Sequence, residues 1–357
     1  MRRLIGWDIG GAHVKACLVE DGRVRDIAQW PCPLWQGLAQ LDTAIAAARQ
    51  RWPQTADAAT THAVTMTGEM VDLFTHREAG VLQLADTLVH VLGPGLRFYA
   101  ASEQPGRRWV AAPAVAARWH DIASANWRAT AELVAALSHG FGGDAVLLDI
   151  GSTTTDTIPI RAGRVAARGT SDAQRLASGE LVYQGVVRTP LCALGQQVPF
   201  GGDGVNVMNE FFATTADVYR LCGELDAEHD QQAAADGGAK DAAATRQRLA
   251  RMIGRDARDA SDGHWLALAG HWREAQLEQI ASQLVRVIAD SGVAATAPVV
   301  AAGCGAFVAL ELAQRSGRRG LCLGSDVLGF SADDHALARW ADVCAPAVAV
   351  ALLASQA

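Results

Sequence analysis

"LLDIGSTTTDTIPIRAGRV", residues 147–165, reads as a buried strand that ends at Asp149, turns at Gly151 into four consecutive hydroxylated residues, meets a second carboxylate at Asp156 and resumes alternating apolar positions. Sliding the opening of the chain forward by 141 residues (149 − 8 = 141) lays "LIGWDIGGAHVKACLVEDGRV", residues 4–24, over "AVLLDIGSTTTDTIPIRAGRV", residues 145–165, without a gap. Asp-Ile-Gly coincides in the two copies, and so does Gly-Arg-Val. Each copy reads as strand, Asp-x-Gly turn, second strand, tight turn at Asp21-Gly22 or Ala162-Gly163, then third strand. A gapless repeat of this length predicts two equivalent lobes.

Composition narrows the function classes. The 357 residues, half of them hydrophobic, suffice for one large domain or two lobes burying about three-quarters of the unfolded surface. A formal charge of −7 leaves no basic face for a nucleic-acid backbone, so no nucleic-acid partner is expected. The seven cysteines form no Cys-x-x-Cys pair and no Cys/His ligand spacing, which argues against a disulfide framework or a zinc knuckle and favours a reducing compartment. The apolar run in "MRRLIGWDIGG" is interrupted at Asp8, and no 18-residue apolar span follows anywhere. A soluble, cytoplasmic protein without a membrane partner is expected.

The rest of each half follows α/β order. A helix through Leu38, Leu41 and Ile45 precedes the strand "HAVTMTG" at 62–68, a helix at 81–92, the strand "LRFYA" at 96–100 and a helix "IASANWRATAELVAALSHG" over 122–140. In the second half a helix at 274–292 feeds the strand "PVVAAG", which turns through "GCGAF" into another helix. The first lobe is expected over 1–141 and the second over 142–334, with a C-terminal helix of about 335–357 returning to the first. Residues 225–244, rich in Ala, Asp and Gly, read as a flexible, solvated insertion.

Both Asp-x-Gly loops have the chemistry of a phosphate site. Glycine at a strand end lets backbone N–H groups turn inward, and neighbouring hydroxyls add donors. Gly10, Gly11, Ala12 and His13 form one candidate cradle; Gly151, Ser152, Thr153 and Thr154 form the other. Carboxylates beside phosphate need a hard cation between them, so Asp8, Asp149 and Asp156 are candidate ligands of Mg²⁺, or of Mn²⁺, which the same donors suit. Lys15 would give phosphate a point charge. Taken alone, the Ser-Thr-Thr-Thr run reads equally as an ordinary edge strand; its facing copy favours the phosphate loop. Gly303 and Gly305 flank a late turn where a flat group or another phosphate could approach the backbone. Cys304 between them reads as a packing residue rather than a nucleophile.

The order of these loops, "DIGG", "DIGSTTTD" and the late "GCG", resembles the actin, hexokinase and Hsp70 ATPase superfamily. That resemblance implies a two-lobed actin-like (ribonuclease H-like) α/β fold with duplicated mixed sheets and flanking helices, closing on a phosphate site. "GWDIGGAHVKA", "TMTGEMVDLF", "IASANW", "SGELVYQGVVRTPLCAL" and "VMNEFFATTADVYRL" resemble the hydantoinase/oxoprolinase-like proteins linked to tetrahydromethanopterin-dependent one-carbon transfer, and are similar to methanofuran-biosynthesis synthases. In that family an aminomethyl-furan diphosphate is joined to the phenol oxygen of γ-glutamyltyramine, releasing pyrophosphate.

The resemblance therefore implies a transferase acting on small molecules, in which the two loops and Mg²⁺ hold a diphosphate. The acceptor is of tyramine type, or of tyrosine type in methylofuran biosynthesis. A phenol of ordinary pKa near 10 needs a base, and Glu69, Asp72 and Glu180 are the candidates, Glu69 first. Glu69 reads equally as a helix-start carboxylate favoured by the macrodipole. Asn126, Tyr183 and Arg188 carry the resemblance into the acceptor site, whereas Trp127 reads as a core residue. The loops alone also suit ATP, so a small-molecule kinase or ATPase stays open. An ATP-driven hydantoinase is disfavoured by length, and a non-catalytic nucleotide scaffold by the paired aspartates.

Overall fold

The computed structural model describes residues 2–102 and 104–356. Strands β1 (Arg3–Ile9), β2 (His13–Glu20) and β3 (Arg23–Pro31) form an antiparallel meander. Parallel strands β4 (Thr60–Met66) and β5 (Arg97–Tyr99) and antiparallel β6 (Trp109–Ala111) extend it in the order β3-β2-β1-β4-β5-β6. The second sheet repeats the pattern. Antiparallel β7 (Ala145–Ile150), β8 (Thr155–Arg161) and β9 (Arg164–Val165) come first, and β10 (Leu181–Val182) also pairs with β8. A hairpin of β11 (Gln197–Phe200) and β12 (Asp203–Asn206) stands apart, and β13 (Val299–Ala302) and β14 (Gly320–Cys322) then add in parallel beyond β7.

The repeat extends to backbone conformation. Asp21 and Gly22 lie at φ 48° and 77°, and Ala162 and Gly163 at φ 49° and 72°. Two successive left-handed residues give the primed turn whose twist matches that of the flanking strands. The equivalent hairpins thus close in the same way, although only Gly is shared between them.

Helices α1 (Ala39–Arg51) and α2 (Arg77–Leu92) cover one face of the first sheet, burying Leu41, Ile45, Leu84 and Leu88 with Ile5, Trp7 and Ile9. After α3 (Val115–Ile122), α4 (Asn126–Leu137) lies between the two sheets: Ala129 and Leu133 pack with Leu4, while Trp127, Ala131 and Val134 pack with Leu147 and Ile158. Helices α5 (Asp172–Ser178), α6 (Thr215–Leu221) and α7 (Ala242–Arg251) precede the long α8 (Asp262–Ser291), which with α9 (Ala306–Arg315) covers Val146, Leu148 and Ile150.

Where one C-terminal helix was expected, the chain forms α10 (His335–Val343) and α11 (Ala345–Ser355), bent by 102°. Pro346 in the first turn of α11 has no N–H to continue α10. Helix α11 packs Ala347, Val348 and Ala351 on the first sheet around Leu4. Among the described residues no single helix is long and apolar enough to cross a membrane.

Two further differences bear on the cleft. The helix expected over 122–140 is broken at Ser124, whose φ is 49°, so α4 starts only at Asn126. Residues 225–244 are also not a free insertion, because ion pairs and amide contacts pin them. Asp230 accepts from Arg220 at 2.6 Å and from Lys240 at 3.1 Å, and buried Arg248 reaches Asp236. Gln232 donates to Ala12 O at 3.0 Å, and Arg339 of α10 pairs with Asp226 and Glu228. The segment is a strap running from the second sheet's helices to the first loop.

A side chain at Gly6 would collide with the backbone of α11, its Cβ falling 2.7 Å from Ala351 Cβ. Gly6→Val should therefore lower unfolding stability by ~1–3 kcal/mol, measured by urea denaturation. An unchanged midpoint would mean that α11 is not seated on β1.

Candidate functional site

The two loops are built alike. Gly10 N–H donates to His13 O at 2.9 Å, and Gly151 N–H donates to Thr154 O at 2.8 Å. Strand register then fixes the charges. Asp8 lies opposite Lys15 across β1 and β2, and Asp149 lies opposite Asp156 across β7 and β8. Under the 141-residue shift Lys15 corresponds to Asp156, so a cation in one lobe faces an anion in the other.

A cleft of about 540 Å³ opens between the lobes. It is lined by Asp8, Gly10, Gly11, Ala12, His13 and Lys15 from the first, and by Asp149, Gly151, Ser152, Thr153, Thr154 and Asp156 from the second. Pro346 reaches the cleft as well, so the positive end of α11 is directed at it. Asp72, Asn126, Tyr183 and Arg188 line the remainder.

Burial dominates the electrostatics. It pushes Asp8 up to about 6 despite Lys15, with Asp156 adding to the rise. It pushes Asp149 up to about 7, with Asp156 again adding and Lys15 opposing. Burial works against the Lys15 ammonium too, but Asp8 and Asp149 outweigh it and its pKa is raised. His13 is lowered to about 3 by burial, Lys15 and Arg188, so it sits there as a neutral imidazole with Nε2 3.1 Å from Gln232 Nε2.

Asp8 Oδ1 is buried without a hydrogen-bond partner, and Asp149 carries a charge that its surroundings disfavour. Two such carboxylates suit a hard dication that completes its shell with water and substrate oxygens. Asp156 does not fit that ligand set, because it pairs with buried Arg175, whose guanidinium lies 4.2 Å from the Trp127 ring centroid. Among the described residues no group of three or more His, Cys, Asp or Glu side chains is placed to hold a metal by itself.

Several expected residues sit elsewhere. Glu180 is buried under the second lobe, accepting from Arg168 N at 2.6 Å, Gly169 N at 2.9 Å and Ser178 Oγ at 2.9 Å, so it braces a loop and does not face the cleft. Glu69 is 1% exposed and reaches the cleft only through Ser124. Gly303, at φ 83°, and Gly305 do not line the cleft; their turn is packed on Ile150 and Asp149, and Gly303 N–H donates to Asp342 O of α10 at 2.7 Å. Sequence reading missed Trp35, Ser124, Asp172 and Arg175, all of which line the cleft or its rim. Only Asp172 had a local signal, the Ser171–Gln174 capping box that marks a helix start.

Two lobes of repeated topology around a cleft lined by two Asp-x-Gly loops define the actin-like ATPase fold class. The nucleotide-free structure of acetone carboxylase shares the fold, with a TM-score of 0.55 at 11% identity over 88% of this chain and 67% of that one. The hydantoinase/oxoprolinase family profile matches residues 108–341, and the chain belongs to that family. The (4-{4-[2-(gamma-L-glutamylamino)ethyl]phenoxymethyl}furan-2-yl)methanamine synthase of Methanocaldococcus jannaschii is 29% identical over 284 residues, 78% of this chain and 79% of that protein. The synthase of the same name from Methanococcus vannielii is 43% identical over 82 residues, 23% of this chain and 36% of that protein.

The buried acids carry a pH signature. With Asp149 raised to about 7, its contribution to stability is fullest below the unfolded value of 3.8 and is lost as pH rises through about 7. In ligand-free thermal melts Asp149→Asn should raise Tm by at least ~2 °C near pH ~8 and leave it unchanged below about pH 4. A variant less stable than wild type near pH ~8 would mean that the carboxylate is not held against its charge.

Proposed function

We propose that this chain is a transferase condensing an aminomethyl-furan diphosphate with the phenol oxygen of a γ-glutamyltyramine- or tyrosine-like acceptor, releasing pyrophosphate in methanofuran-type cofactor synthesis. The kinship with the methanamine synthases supports the reaction class. The observation that carries the choice of phosphate ligand is where the cleft stops. Behind Asp149 the Gly303–Gly305 turn is packed inside the protein, and α10 covers it while holding the strap, with Trp340 against His229 and Arg339 on Asp226. The open part keeps both phosphate loops and a rim of Trp35, Met70 and Tyr183. That lining, two loops for the phosphates and aromatic side chains at the rim, suits a diphosphate carrying a small flat ring.

The residues present divide the work. The Gly10–His13 and Gly151–Thr154 loops would hold the diphosphate through backbone N–H groups and hydroxyls, with Lys15 adding charge. Mg²⁺ on Asp8 and Asp149, when bound, would supply Lewis-acid stabilisation of the departing pyrophosphate. Arg188 lies 4.8 Å above the Trp35 ring, and burial lowers its pKa. A guanidinium in that setting suits a substrate carboxylate or phosphate.

Pyrophosphate release measured with Mg²⁺ should require the furan diphosphate and the phenol together, and Mg²⁺ with ATP should yield no ADP. ADP formation with tight ATP binding in calorimetry would replace the transferase by a kinase or ATPase of the same fold. Arg188→Ala should raise the KM of one organic substrate by ~10–100-fold while the protein stays folded. An unchanged KM for both would remove Arg188 from the binding site.

A further inference from the structure

Ser124 sits in the left-handed break before α4 with its hydroxyl between two carboxylates from opposite sides of the cleft. Its Oγ is 2.7 Å from Glu69 Oε1, which follows β4, and 2.9 Å from Asp172 Oδ2, the first residue of α5. A hydroxyl has one proton to donate. It can satisfy one of these carboxylates; the other stays at hydrogen-bond distance only if it carries a proton of its own and donates to Oγ. The bridge therefore holds one carboxyl proton besides the hydroxyl's.

The surroundings show where that proton rests. Glu69 is 1% exposed, and its Oε2 has no hydrogen-bond partner. The charged groups facing it are Arg77 of α2, 3.8 Å from Oε1 and 3.4 Å from Ser124 Oγ, and Asp172 beyond the serine. Burial raises Glu69 to about 7, with Ser124 and Arg77 opposing and Asp172 adding to the rise. Asp172 faces the cleft, with Arg175 3.9 Å away and Asp156 on the far side of that arginine. With the shared proton on Glu69, Glu69 would donate to Ser124 and Ser124 would donate to Asp172.

We propose that Asp172 is the base that removes the acceptor's phenolic proton, and that Ser124 and protonated Glu69 are positioning residues that hold its carboxylate in the cleft. This rests on the transferase reading. The phenol O–H proton passes to Oδ1 of Asp172, the oxygen that Ser124 leaves unbonded and that lies 3.9 Å from Arg175, and the phenol oxygen forms a bond to the furfuryl carbon. The carbon–oxygen bond to diphosphate breaks with its electron pair leaving on pyrophosphate, and Asp172 later returns the proton to water. When Glu69 ionises, the serine hydroxyl turns to it, and Asp172 faces a lone pair and is pushed out of place.

The test combines kinetics with an optical reading of the proton. Asp172→Asn should lower kcat by ~10²–10⁴-fold with the fold intact. Ser124→Ala and Glu69→Ala should each lower kcat by ~10²-fold. Glu69→Gln, whose amide still donates to Ser124, should recover most of the Glu69→Ala loss and abolish the wild-type fall in rate above about pH 7. Infrared titration should find, in the wild type minus Glu69→Gln difference spectrum, a protonated-carboxyl band near neutral pH to which Asp8 and Asp149, common to both proteins, do not contribute. Near-wild-type turnover of Asp172→Asn, or Glu69→Gln as inactive as Glu69→Ala, would overturn the assignment, the latter making Glu69 the proton acceptor. Absence of the band in an active wild type would overturn it as well. If wild type releases no pyrophosphate yet shows the band, the transferase reading fails and takes the role of Asp172 with it, while the shared proton stands.

Discussion

Everything in the cleft follows from the register of two strand pairs. Asp8 faces Lys15 and Asp149 faces Asp156 because each strand pair is joined through a loop closed by the same Gly-to-fourth-residue hydrogen bond, and the second strand of each pair runs on through a primed turn into a third. Side chains alternate along a strand, so a slip by one residue would turn Asp8 into the core beneath α1 and α2 and bring Ile9 to the cleft. The buried apolar face thus enforces the position of the charges. Burial in turn makes those charges costly, since Asp8 and Asp149 are both raised well above the usual carboxylate range. A cleft of this kind is unfavourable when empty of counter-charge and favourable around a cation with anionic oxygens.

The repeat was legible because its determinants are local: Asp-x-Gly turns, alternating apolar positions and two-residue hairpin turns all lie within 21 residues of sequence per copy. The Ser124 break was not, since "IASANWRAT" has no glycine or proline and reads as continuous helix. Its left-handed backbone accompanies hydrogen bonds to Glu69 and Asp172, residues 55 and 48 positions away. The strap was hidden for the same reason. Its composition is that of a solvated loop, but its acids meet Arg220, Arg248 and Arg339, and the last of these lies 113 residues beyond Asp226. Glu180 misled in the opposite sense: a family-like carboxylate proved to be bracing backbone N–H groups of residues 168 and 169.

Links of several kinds join the lobes. Helix α4 belongs to both cores, the strap reaches Ala12 and His13, and Ser124 with Asp172 spans the cleft from the other side. The first is apolar and insensitive to ionisation; the last depends on a proton. Trp35 beneath Arg188 adds a fourth link at the rim. The groups nearest the proposed chemistry are therefore also those holding the two lobes in register, so their loss acts on geometry as well as on charge.

Family membership and fold speak to different parts of this arrangement. The matched stretch, 108–341, contains the second loop, α4 and the strap but leaves out Asp8 to Lys15. The first loop is tied to that stretch by the 141-residue correspondence and by the strap's grip on Ala12. The fold is shared with a protein only 11% identical, so it cannot by itself select a phosphate ligand. Selection lies in what fills the cleft. On the proposed reading, packing the Gly303–Gly305 turn behind Asp149 and covering it with α10 keeps the phosphate half of a nucleotide site and discards the rest. On that reading the same two loops would serve a leaving diphosphate instead of a transferred phosphoryl group.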